Sequence, residues 1–298
     1  MMDAPRDGAC WAFIRGSLEL FLYGWYPEPE RWRVNITFFL FGAAVFGALR
    51  ENIPGKKYWL MFAAVFPFLA AWLLFGGFGL EPVATSKLGG ILLTLVVAVT
   101  GISFSLPLGI ALALGRRSRL PVLRAICVIF IEFIRGVPLI TLLFVASTML
   151  TYFLPPGSSF DLLIRVLIMV TLFAAAYIAE VVRGGLQGLA SGQYEAADAL
   201  GLTYWQSHRL IILPQALKIS IPGIVNTFIG SYKDSVLVLI IGMMDILGLG
   251  RARLNDPDWL GLAPELYIFI SLFFFVSCFA MSRYSLSLEK KLETGHQS

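Results

Sequence analysis

Charge is the scarcest ingredient of this sequence. Only 14% of its 298 residues are Asp, Glu, Lys or Arg, against roughly 25% in a soluble domain. With 58% hydrophobic residues and a mean hydropathy of +0.78, the shortage excludes a water-soluble globular protein: no core could hide this much apolar surface. Histidine is nearly absent. His208 and His296 lie outside the apolar runs, so an intramembrane hydrolase built on a Ser–His pair or a metal cluster has no base or ligand set at depth. Cys10, Cys127 and Cys278 are scattered and make neither a disulfide framework nor a zinc spacing. A G-x-x-x-x-G-K-[ST] phosphate loop is also missing, because Pro54-Gly55-Lys56-Lys57 has no glycine at the required upstream position. Any ATP energy must come from another subunit, and no cofactor is expected in this chain.

What the sequence has in quantity is apolar runs. About 20 consecutive apolar residues cross the hydrocarbon of a bilayer, and segments of that kind lie near 34–49, 58–78, 88–114, 123–153, 160–182, 214–241 and 265–286. The first is short and the fourth long and mixed. Helices are the expected form, since hydrocarbon offers backbone groups no partner, and the runs lack the alternation of a transmembrane barrel. The fold class is an all-α, polytopic transmembrane helical bundle. Its partner is the lipid bilayer, not nucleic acid.

Basic residues set the orientation. Loop 50–57 carries Arg50, Lys56 and Lys57; loop 115–124 carries Arg116, Arg117, Arg119 and Arg124. Segment 183–218 carries Arg183, Arg209 and Lys218, and the end of the chain Arg283, Lys290 and Lys291. Against these thirteen, the other side has Lys87, Arg251 and Arg253. The thirteen belong in the cytoplasm, with the C-terminus. Seven spans then put the N-terminus outside, where Arg6, Arg15, Arg31 and Arg33 conflict with the rule. Either residues 11–25 form an interfacial amphipathic helix that follows a span missing from this chain, or one weak span is miscounted. The first reading is preferred.

Between the fifth and sixth spans the chain reads as two short helices. One is expected from Gln193 to Leu200, with Glu195 in its first turn, where the helix dipole favours an anion. Gly201 suits a left-handed cap, and Thr203 with Gln206 has the spacing of a capping box. Pro214 begins the next span. Small residues at Ala196, Ala197 and Ala199 leave a face for another protein, although an ordinary helical hairpin would read the same way.

The string E-A-A-x3-G-x9-I-x-L-P, formed by Glu195, Ala196, Ala197, Gly201, Ile211, Leu213 and Pro214, resembles the signature loop of bacterial ABC-importer membrane subunits. Gly89-Gly90 with Thr94, the run Ile131 to Pro138 and the run Ala176 to Gly185 narrow the resemblance to the polar-amino-acid permeases of the histidine/glutamate/glutamine/arginine group. The segments Ala9 to Arg15 and Tyr26 to Val34 are similar to the longer permease of general L-amino-acid importers. The family's usual Lys-Asp-Thr-Ser-Leu is here Lys233-Asp234-Ser235-Val236-Leu237, a departure that bears on substrate preference and not on class. The resemblance implies a type I five-span core over 88–290, containing the coupling loop 191–214. Ahead of it come an interfacial segment over 1–33 and two further spans over 34–87, and after it a cytoplasmic tail over 291–298. It also implies partners: a second permease subunit, two subunits that bind ATP and magnesium, and a periplasmic amino-acid-binding protein. The function implied is that of the permease of an ATP-driven amino acid importer in a bacterial inner membrane, not itself an enzyme. A secondary amino acid transporter without an ATPase is the alternative.

Charges at membrane depth are costly and so are functional candidates. Glu132 and Arg135, three residues apart on the fourth span, can pair on one helix face, near the cytoplasmic end where a gate would close; a structural ion pair is the other reading. Glu180 and Arg183 share the spacing and read as structural. Lys233 and Asp234 sit about two-thirds along the sixth span, downstream of Pro222-Gly223, which is expected to loosen the helix as in transporter sites. Substrate contact, a structural pair and a gate stay open for them.

The charge distribution makes a direct prediction. A reporter fused after Ser298 should be cytoplasmic, and a cysteine at Ser158 should react with an impermeant reagent from outside intact cells. Labelling only after the membrane is opened would overturn the orientation.

Overall fold

The computed structural model describes residues 10–50, 53–149, 152 and 160–294. The expected loop around Ser158 and the end of the tail lie outside these residues. Twelve α-helices follow one another among the described residues. They are α1 (Ala12–Tyr23), α2 (Arg31–Leu49), α3 (Lys56–Phe75), α4 (Gly90–Arg116), α5 (Pro121–Gly136) and α6 (Leu139–Phe144), then α7 (Leu162–Gln187), α8 (Ser191–Ala199), α9 (Tyr204–Ser207), α10 (Leu213–Asp234), α11 (Ile246–Arg253) and α12 (Ala263–Thr294). Six segments, ending at or containing α2, α3, α4, α7, α10 and α12, are long and apolar enough to cross a bilayer.

The span expected over 123–153 is broken. α5 and the segment Leu139–Met149, which is α6 with a π-helical continuation, meet at an angle of 103°. Pro138 supplies the cause. It has no N–H for the helix ladder and drives the residue before it out of the helical region, and Val137 accordingly sits at φ −111°, ψ 133°. Arg165 of α7 steadies the far arm by donating from Nη1 to the carbonyls of Ala146 and Ser147 at 3.1 and 2.7 Å.

The amphipathic segment expected over 11–25 forms α1. At about 18 Å it is too short to cross. Phe13, Ile14 and Phe21 bury against Ile91, Ile246, Leu262 and Leu266, while Trp11, Arg15, Leu18 and Glu19 face outward. The helix thus lies as a strap over the ends of α4, α11 and α12. Gly90, the first residue of α4, takes φ +62°, and a Cβ there would run into the carbonyl oxygen of Phe21. Asp245 caps α11 nearby by accepting from the Gly248 N–H at 2.8 Å, and its complete burial raises its carboxyl to about 6.

The centre of the bundle is the α4–α7 pair. Helices in hydrocarbon associate by close packing rather than by a hydrophobic force, and glycines of α4 let Val170 and Ile178 of α7 approach closely. Two buried clusters run along the pair. One gathers Leu92, Leu93, Val97, Val166 and Val170 near the strapped end; the other gathers Ala113, Ile178, Ala179 and Val182 near the arginine-rich end. α2 and α3 form a hairpin beside this core. Lys56 closes its turn by donating to the carbonyls of Gly47, Ala48 and Arg50 at 3.1, 2.6 and 2.9 Å, a cation on the negative end of α2.

At Gly109 an added Cβ would meet Ile178 Cγ2 at 2.5 Å and the Ala175 carbonyl oxygen at 2.9 Å, whereas at Gly42 it would meet nothing within 4 Å. Gly109→Ala should therefore lower stability by about 1–3 kcal/mol through overpacking. Gly42→Ala should be neutral or slightly stabilising. Thermal unfolding of the two purified variants, followed by tryptophan fluorescence, checks the contrast.

Candidate functional site

The segment between α7 and α10 folds on local rules. α8 begins at Ser191, two residues before the expected start, so Glu195 lies in its second turn. Gly201 has φ +68°, and the N–H groups of Gly201 and Leu202 donate to the carbonyls of Asp198 and Ala197 at 2.9 and 3.2 Å. That is the paired closure of a Schellman motif. Thr203 and Gln206 complete a reciprocal capping box at the start of α9. A π-helical turn over His208–Ile212 then leads into α10, with Pro214 in its first turn.

Of the seven signature positions, Glu195, Ala196, Gly201 and Pro214 are exposed, Ile211 and Leu213 are half-buried, and Ala197 is fully buried. The expectation of one small-residue face open to another protein is corrected in part. Ala197 is turned inward, and its carbonyl anchors the Schellman closure. Ala196 and Ala199 stay outside.

Tyr194 ties the hairpin to the neighbouring loop. Its hydroxyl donates to the Leu186 carbonyl at 3.0 Å and accepts from Arg117 Nη1 at 3.1 Å. The Arg117 guanidinium also lies 5.6 Å from the ring centroid. Neither residue stood out in the sequence. The only signal was the basic run at Arg116-Arg117.

At the same end of the bundle the charged residues form a cluster across three helices. Glu132 and Arg135 do not pair with each other. Glu132 meets Arg116 of α4 at 2.7 Å, and Arg135 meets Glu180 of α7 at 3.8 Å. Arg116 also reaches Glu180 at 3.4 Å. Glu180 pairs in addition with Arg183, as their spacing predicted, with Arg183 Nε donating to its Oε1 at 2.9 Å. The i,i+3 reading of Glu132–Arg135 fails because Arg116 offers Glu132 a closer cation from the adjacent helix. Three guanidinium groups thus share two carboxylates, with Arg135 also 5.6 Å over the Tyr177 ring.

Lys233 and Asp234 stand apart from this cluster. They end α10, and the chain continues as a 3-10 helix over Ser235–Ile241. Lys233 is exposed and Asp234 half-buried, and no ion pair joins them among the described residues. The change of helix type comes at this pair and not at Pro222-Gly223. α10 runs through Pro222, and Gly223 serves contact instead, since a Cβ there would meet Val181 Cγ1 at 2.6 Å.

A helical membrane bundle with a self-capped helix pair hung between two long spans is the architecture of a transporter's membrane subunit. The chain belongs to the family of binding-protein-dependent transport system inner membrane components, whose family model matches residues 105–294. It is 49% identical over 295 residues to the inner membrane amino-acid ABC transporter permease protein YhdY of Escherichia coli, covering 98% of this chain and 80% of that one. It is 45% identical over 350 residues to the glutamate/glutamine/aspartate/asparagine transport system permease protein BztC of Rhodobacter capsulatus, covering 97% and 80%. A crystal structure of an amino acid ABC transporter with histidines superposes with a TM-score of 0.60 at 28% identity, over 68% of this chain and 92% of that one. The MetNI methionine ABC transporter, facing inward, shares the fold at a TM-score of 0.50 and 21% identity.

Glu180 is the shared anion of the cluster. Glu180→Gln leaves Arg116, Arg135 and Arg183 with Glu132 alone, which is half exposed. The variant should lose about 1–3 kcal/mol, and Glu132→Gln clearly less. Thermal unfolding of both, with Glu180→Gln/Arg183→Gln expected to recover part of the loss, is the measurement.

Proposed function

We propose that this chain is the permease subunit of an ATP-driven amino acid importer, forming half of the translocation path. The observation that carries the proposal is the 191–214 hairpin. Leu200, Trp205 and Leu210 are 73%, 71% and 65% exposed there, on a short helix pair whose own backbone is satisfied. Exposed apolar side chains grouped on one short helix pair suit a partner surface, and the reading assigns it to an ATP-binding subunit. Glu195, Ala196, Ala197, Gly201, Ile211, Leu213 and Pro214 shape that coupling surface.

The remaining assembly follows from the same reading. A second permease subunit, in a heterodimer, completes the path. Two ATP-binding subunits hold ATP and magnesium, and a periplasmic binding protein delivers the amino acid. The arginine-rich end, with the C-terminus, faces the cytoplasm; residues 88–290 form the permease core, and 1–33 and 34–87 are additions to it. Closure of the ATP-binding subunits pushes on the hairpin. Tyr194 and Arg117 pass the movement to the end of α4, and the Arg116–Glu180 cluster is where α4, α5 and α7 separate or close. Lys233 and Asp234 line the substrate path at the point where α10 changes helix type. The names of the relatives support an amino acid as cargo, and a carboxylate and an ammonium beside the path match the two charges of one.

Gly201→Asp in the assembled importer tests the coupling role. A Cβ at this position meets nothing in the chain itself, so the variant adds about 1–2 kcal/mol of local backbone strain and a charge on the docking surface. The expected result is normal insertion and ligand loading of the binding protein, with uptake and ligand-stimulated ATP hydrolysis lost. Gly201→Asn, which adopts a left-handed backbone about as readily as Asp but adds no charge, should retain part of both. Normal ligand-stimulated hydrolysis in Gly201→Asp would refute the assignment.

A further inference from the structure

Between the α2–α3 hairpin and the α4–α7 core lies a cavity of about 240 Å³. Phe38, Phe41, Phe66, Phe75 and Phe104 are among its walls, with Leu and Val side chains of α4. The hydroxyls facing it belong to Thr37 and Thr100, and that of Thr37 already donates to the Arg33 carbonyl at 2.8 Å. Every wall belongs to a segment long and apolar enough to cross the bilayer. The cavity is not sealed: Phe68 and Ala71 of α3 border it and are themselves exposed. Phe68 makes an edge contact with Phe104 of the core, ring centroids 5.5 Å apart.

Such a space does not stay empty cheaply, nor does water fill it. An unfilled void forfeits dispersion contacts along its whole lining, and a water needs two or more polar partners, where these walls offer only the Thr37 hydroxyl, already bonded to the Arg33 carbonyl, and that of Thr100. An apolar cavity of only about 150 Å³ stays dry and takes up benzene. This one is larger and stands at the depth of lipid tails. We propose that it is a lipid site: one acyl chain of a membrane phospholipid enters past Phe68 and Ala71 and completes the packing of the α2–α3 hairpin on the core. The hairpin is then held by a shared hydrocarbon guest as much as by direct contact. Filling such a site differs from ordinary lipid solvation, which covers exposed faces such as Leu272, Phe275 and Phe279 of α12 without being enclosed.

The test uses the whole importer in phosphatidylethanolamine vesicles that contain a phosphatidylethanolamine with a mid-chain diazirine. After illumination, adducts should concentrate several-fold on the cavity-lining peptides of α2, α3 and α4 relative to the α12 peptide carrying Leu272–Phe279. Adducts spread evenly over both overturn the proposal. In parallel, native mass spectra of importer washed in mild detergent should show one retained phospholipid per permease, lost in the space-filling variant Ala70→Leu/Val99→Phe. A folded variant that keeps the lipid, or a wild type that retains detergent alone, overturns it as well. If the variant does not fold, the photolabelling decides.

Discussion

Two long helices in hydrocarbon attract each other only as closely as their surfaces let them pack. In this protein α4 and α7 reach that close approach through Gly101 and Gly109, where a Cβ would meet Val170 and Ile178 at 2.9 and 2.5 Å. Much else depends on this contact. It brings Arg116, at the end of α4, within reach of Glu180 on α7, and it aligns both buried clusters along one seam. α10 then packs on α7 by the same device at Gly223 against Val181.

The hairpin at the arginine-rich end is held by few contacts to the rest of the bundle. Its first helix ends in a Schellman closure and its second begins in a capping box, so the turn between them satisfies its own backbone groups. What ties it to the bundle is a small number of specific contacts: the buried Ala197, the Tyr194 hydroxyl between Leu186 and Arg117, and the Gln193–Gln215 hydrogen bond at 3.0 Å. Arg116 and Arg117 are adjacent, so the joint to the hairpin and the charge cluster between α4, α5 and α7 share one piece of backbone.

The membrane positions of charge follow a related economy. Five charged groups of the α4–α5–α7 cluster neutralise one another to within a single positive charge, which keeps them tolerable near the ends of spans. Lys233 and Asp234 are opposite in sign but form no close ion pair among the described residues, and they coincide with the change from α to 3-10 geometry. A change of helix type alters which side chains line one face. The departure from regular helix therefore coincides with a Lys-Asp pair near the end of α10.

Composition and hydropathy by themselves determined the membrane class, the all-helical bundle and most span positions, because a bilayer makes apolar length a strong physical requirement. Local chemistry was equally legible in the hairpin: Gly201, Thr203 and Gln206 act on backbone groups a few residues away. The structure alone decided what lies between distant segments. The fourth span reads as continuous because Pro138 interrupts the backbone without interrupting the apolar run. Glu132 reads as Arg135's partner because sequence spacing reveals neighbours on one helix, while Arg116 arrives from another. Pro222-Gly223 reads as a break, yet the packing of α10 on α7 overrides the local weakness and uses the glycine for contact. The cavity beside the α2–α3 hairpin was invisible for the same reason: its walls come from four helices, and only their packing shows that the phenylalanines leave a space.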